Sequence, residues 1–90
     1  MIDKIITNNL NKKIINERRK WGFSRKKLAK KCFTDEDTIK DIENGIYKEL
    51  NLNLLINLSI ALKVSIFFFL NDNLTVKELN KIMKKENLYV

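Results

Sequence analysis

Apolar residues recur every three or four positions through most of this 90-residue chain, the interval at which side chains return to one face of an α-helix. Leu10 and Ile14, with Arg18 one turn on, mark a first helix that starts near Thr7 or Asn8 and stops at Gly22, a residue suited to a left-handed C-cap. Ser24, whose hydroxyl can accept a first-turn backbone N–H, opens a second helix that carries Leu28 and Ala29 to about Lys31. A third begins near Asp35, buries Ile39 and Ile42 and ends at Gly45; Asp35, Glu36 and Asp37 at its start complement the helix dipole. Leu52, Leu55, Leu58 and Leu62 stripe a fourth helix, capped by Asn51 and ending near Lys63. Ser65 caps a short fifth through Phe67, Phe68, Phe69 and Leu70. Thr75 and Glu78 form a capping box for a sixth, in which Val76, Leu79, Ile82 and Met83 share one face.

Composition agrees with this all-α reading. No proline and two glycines leave few of the tight turns that an all-β fold needs, and 90 residues make one domain with a single small core. The segment from Leu50 to Leu70 has Lys63 as its only charge and is long enough to span a bilayer. Asn51, Asn53, Asn57, Ser59 and Ser65 interrupt it, and its leucines follow the spacing of a core-facing stripe, so no membrane association is expected. The absence of histidine and the lone Cys32 argue against metal sites, intrachain disulfides and nucleophile–base pairs. An enzyme and a cofactor are therefore not expected. The first ten residues lack the long apolar stretch of a secretory signal, which predicts a cytoplasmic protein.

Charge divides the chain. The net charge of +7 fits a polyanionic partner. Between Lys12 and Lys31 ten basic residues stand against the single acid Glu17, whereas between Asp35 and Glu43 five acids stand against Lys40. The lysines alone would also fit solvated helix faces.

Arg18, Gly22, Ser24, Leu28, Ala29, Ile39, Ile42, Glu43-Asn44-Gly45, Leu55, Leu58, Ala61-Leu62 and Val64-Ser65 together resemble the signature of the Cro and phage-repressor (XRE) helix-turn-helix family, over about Ile14 to Leu70. The resemblance implies a five-helix bundle, here with a sixth, C-terminal helix: residues 1–73 form the helix-turn-helix DNA-binding domain and 74–90 a helical extension available for dimerisation. It implies that the third helix enters the major groove while the second lies across the phosphates of double-stranded DNA. On this resemblance, the DNA-contacting residues are Ser24, Arg25, Lys26, Lys30, Thr34, Glu36, Asp37, Lys40, Asp41 and Lys48. Arg18 and Glu43 pair inside the protein, and Cys32 occupies a position where the family has a small buried residue.

Three departures bear on function. Phe33 replaces the glycine expected at a left-handed turn position, a conformation costing a bulky residue about 1–2 kcal/mol, so a differently shaped turn is expected. Arg25 stands where the family often has Gln and can hold a phosphate or fork onto guanine. Glu36, Asp37 and Asp41 place three acids among the four matched reading positions. Acids can accept from the cytosine amino group but repel phosphates. The expected function is a homodimeric, sequence-specific transcriptional regulator, of repressor or restriction-modification controller type, on a near-palindromic operator. The dimer surface is expected to include Ile56, Ile60, Phe67, Phe68, Leu79, Ile82 and Met83, with Leu54 beside them. The alternative is a protein-interaction module, such as an antitoxin or anti-repressor, that binds a protein partner through the acidic third helix.

Overall fold

The computed structural model describes residues 4–71 together with Lys77, Asn80, Lys81 and Lys84, which are helical and exposed. Residues 4–71 contain four α-helices, α1 (Leu10–Lys20), α2 (Arg25–Lys31), α3 (Glu36–Glu43) and α4 (Leu52–Leu62), followed by a 3-10 helix at Ile66–Phe69. The sixth-helix positions Thr75, Val76, Glu78, Leu79, Ile82 and Met83 lie outside the described residues.

Three of the helices open on short polar side chains. Ser24 Oγ accepts from the Lys27 N–H at 3.0 Å, Asp35 Oδ1 from Thr38 at 2.8 Å, and Asn51 Oδ1 from Leu54 at 2.8 Å, each satisfying a donor the helix itself leaves free. The 3-10 helix opens in the same way, Ser65 Oγ accepting from the Phe67 N–H at 3.2 Å. α1 has no side-chain cap and starts later than the periodicity suggests. Before it the chain makes a single bridge and then a turn at Asn8 and Asn9: Ile6 bridges Leu70 in antiparallel fashion, the Thr7 N–H donates to the Phe69 carbonyl at 2.9 Å, and the Asn71 N–H donates to the Ile5 carbonyl at 2.7 Å. This clasp brings Ile5 and Ile6 into the core. It also forces Leu70 into extended geometry, so the segment expected as a fifth α-helix is a short 3-10 turn.

All four helices end in one hydrogen-bond pattern, the Schellman motif, with a left-handed residue just past the last turn. Glycine fills that place after α1 (Gly22, φ +69°) and α3 (Gly45, φ +81°), whereas Phe33 (φ +59°) and Lys63 (φ +56°) fill it after α2 and α4. The Thr34 N–H reaches the Ala29 carbonyl at 3.0 Å and the Phe33 N–H reaches Lys30 at 3.3 Å. The turn therefore keeps the left-handed shape, contrary to the expectation from its sequence; closure of these two bonds outweighs the steric cost at Phe33. Because Phe33 is 89% exposed, removing its side chain sacrifices little packing. Phe33→Gly is expected to raise unfolding stability by about 1 kcal/mol, read as a higher urea midpoint at unchanged slope.

The core takes one stripe from each helix: Leu10 and Ile14, Leu28 and Ala29, Ile39 and Ile42, and Leu52, Leu55, Leu58 and Leu62, closed by Phe69. α3 packs against both α1 and α2, which fixes the angle at which its opposite face meets solvent. Leu54 is buried and Ile56 is half-buried against the core, so neither supplies the free apolar surface expected of them. Ile60 and Phe67 are exposed (69% and 62%), and Phe68 partly so. Lys13 covers Phe68, its ammonium 4.5 Å from the ring and 2.9 Å from the Phe68 carbonyl.

Candidate nucleic-acid interface

α2 presents two rows of lysines. Lys26 and Lys30, one turn apart, are exposed and have no ion-pair partner among the described residues. Lys27 and Lys31 form the neighbouring row and lean toward Phe23, with their ammoniums 5.5 and 5.1 Å from its ring. The same corner holds Trp21, which stacks on Phe23 at 6.3 Å, donates from Nε1 to the Leu62 carbonyl at 2.9 Å and lies under the Lys63 ammonium. Tryptophan and phenylalanine flanking Gly22 are the sequence signal for this corner, which periodicity alone did not reveal. Of the two α2 rows, the Lys26–Lys30 row is thus the one without a ring or ion-pair partner among the described residues.

α3 exposes Glu36, Asp37 and Lys40, with Asp41 and Thr34 half-buried at the edges. None of Glu36, Asp37, Lys40 and Asp41 forms an ion pair among the described residues, although basic side chains outnumber acids in the chain. Asp35 stands apart from them. Its carboxylate is engaged by Thr38, whose hydroxyl donates at 2.7 Å and whose N–H donates as well, and these bonds hold it below the usual carboxylate range. Ser24 is likewise committed to its capping role. Lys48 is exposed in the loop after Gly45, between α3 and α4.

Behind this face lies a buried ionic cluster. Glu43, on the last turn of α3, has a side chain 1% exposed and accepts from Arg18 Nε at 2.6 Å, Arg18 Nη2 at 3.1 Å and Arg25 Nε at 2.9 Å. Burial disfavours its charge, but the two arginines outweigh that cost and hold it below the usual carboxylate range. Arg25, expected to face outward, is thus partly turned inward: a carboxylate eighteen residues away in sequence claims its Nε, a contact the family resemblance does not include. Cys32 is buried, and desolvation pushes its thiol up to about 11, which leaves almost no thiolate near neutral pH. No group of three or more Cys, Asp and Glu side chains that could hold a metal occurs among the described residues, and no described helix is long and apolar enough to cross a membrane.

The profile of a family described as helix-turn-helix matches residues 14–69. No curated protein matches the chain. Among solved structures, the hydroxypropylphosphonic acid epoxidase from S. wedmorenis superposes with a TM-score of 0.62 at 23% identity over 71% of this chain. The chain spans about a third (34%) of that enzyme, so the likeness is one of fold.

Proposed function

Because this chain belongs to the Cro- and phage-repressor-like (XRE) helix-turn-helix family, we propose that it is a sequence-specific DNA-binding transcriptional regulator of repressor or controller type, acting by binding rather than catalysis in the cytoplasm. The observation that carries this reading is the pair of faces whose charged side chains have no ion-pair partner among the described residues: the Lys26–Lys30 row on α2, and Glu36, Asp37 and Lys40 on α3. Lys26, Lys30 and Lys48 meet phosphates and release counterions, the main source of affinity for any duplex. Lys40 reads guanine O6 and N7, and Glu36 and Asp37 accept from cytosine N4, so preference resides in α3. Two copies pair about a two-fold axis through Ile60, Phe67 and Phe68, with Leu79, Ile82 and Met83 of the C-terminal segment adding to the contact, and read the two halves of a near-palindrome.

The excess of acids over the single Lys40 on α3 favours a second reading, in which this face binds a basic protein partner as an antitoxin or anti-repressor would. One experiment separates the two. Glu36→Gln with Asp37→Asn removes two negative charges without changing side-chain shape. On the first reading, affinity for scrambled duplex rises while preference for a selected duplex falls, each mispaired base position carrying about 1–3 kcal/mol. Gel-shift titrations showing an equal gain on every sequence would deny the acids a reading role and favour the protein-binding module.

A further inference from the structure

The cluster around Glu43 uses its donors unevenly. Arg18 engages all three nitrogens, Nε and Nη2 on Glu43 and Nη1 on the Phe23 carbonyl at 2.9 Å. Arg25 donates from Nε only; its Nη1 and Nη2 have no partner among the described residues, and its side chain is 37% exposed. One buried carboxylate thus faces two permanent cations, and the surplus positive charge emerges at the outer end of Arg25. Arg25, Lys26 and Lys27 also fill the first turn of α2 without an acid among them, against the helix dipole. Local helix stability therefore does not account for this cluster of cations; Glu43 accounts for one side of Arg25, and an external anion fits its free Nη1–Nη2 edge.

We propose that Arg25 is a bridging, positioning residue. Its Nε is anchored on Glu43, at the end of α3, while its Nη1–Nη2 edge donates to one backbone phosphate of the duplex. This rests on the DNA-binding reading above and adds to it a mechanical link, since a single guanidinium then sets the phosphate register of α2 and the seating of α3 together. Arginine suits the task because its planar fork, fixed along one edge, still presents a second pair of parallel donors, whereas an ammonium is a point charge on a flexible stem.

The test is fluorescence anisotropy, across salt concentrations, with a short duplex selected from a random pool by the wild-type protein and with copies carrying one neutral methylphosphonate at each position in turn. Arg25→Gln is expected to lower affinity about tenfold, to reduce the salt slope by about one phosphate's share, and to become insensitive to the one neutral phosphate that most weakens the wild type. Arg25→Gln that keeps the wild-type slope and the wild-type phosphate pattern overturns the bridge and leaves Arg25 an internal residue. Should Arg25→Gln fail to fold, Arg25→Lys carries the test. With circular dichroism unchanged it is expected to bind several-fold more weakly, because one ammonium cannot serve both partners, and wild-type affinity in that variant overturns the bridge. A wild-type protein without affinity for any duplex overturns the DNA-binding reading and the bridge together; unaltered binding in the Arg25 variants overturns the bridge alone.

Discussion

Arg18→Met is expected to destabilise the protein by about 3–5 kcal/mol, a large part of the stability of a domain this size. Glu43 is almost wholly buried and receives two of its three charge-assisted hydrogen bonds from Arg18. Methionine fills much of the space but donates nothing, so the carboxylate keeps Arg25 alone and must either remain poorly paired or take up a proton. The cost lies in the stranded charge more than in the lost contact. Adding Glu43→Leu to Arg18→Met should therefore restore most of the stability, since an apolar pair of similar volume is often neutral or better, and Arg25, being partly exposed, can rehydrate. Urea unfolding followed by circular dichroism gives both values. Acid sharpens the assignment. The folded-state pKa of Glu43 is depressed, so its contribution is fully present above the usual carboxylate range and is lost as pH falls through the lower, folded value. The wild type should lose stability across that window, and the Arg18→Met, Glu43→Leu protein should lose less.

The second large effect concerns the division of labour between α2 and α3. Lys26→Ala is expected to weaken binding to selected and scrambled duplexes alike and to lower the salt slope by about one, as expected for loss of one phosphate contact. Lys40→Ala is expected to cost about 1–3 kcal/mol on the selected duplex only, with preference relaxed at one base position. The physical basis is the environment of the two ammoniums. Both are exposed and have no ion-pair partner among the described residues, but Lys26 belongs to the cationic row of α2, whereas Lys40 lies among the acids of α3, which push phosphates away and leave base edges as its available acceptors. Equal, sequence-independent losses in the two variants would contradict the division.

Much of this architecture was legible because it is local. Ser24, Asp35, Asn51 and Ser65 could be read as caps, since each is a short polar residue just before an apolar stripe, and Gly22 and Gly45 as stops, since a left-handed residue must follow the last turn. What escaped the reading depends on residues far apart in the chain. Nothing in the spacing of Ile5 and Ile6 shows that they pair with Leu70 and Phe69, and that pairing is what shortens the expected fifth helix to a 3-10 turn and delays the start of α1. Phe33 escaped for a different reason. Intrinsic preference argues against a left-handed phenylalanine, but two capping hydrogen bonds and the packing of α2 on α3 decide its conformation. Within the candidate site, the exposure of Lys26, Lys30, Glu36, Asp37 and Lys40 followed from their positions between core residues. The inward turn of Arg25 did not, because it requires the end of α3 to lie against the start of α2.

The measurement closest to the heart of the matter is repeated selection of duplexes from a random pool by the wild-type protein at physiological salt, followed by sequencing. Enrichment of a short motif with G·C pairs at its reading positions, present as two halves related by a two-fold axis, is the predicted result. A folded protein that retains duplexes without enriching any motif, or retains none, would contradict it.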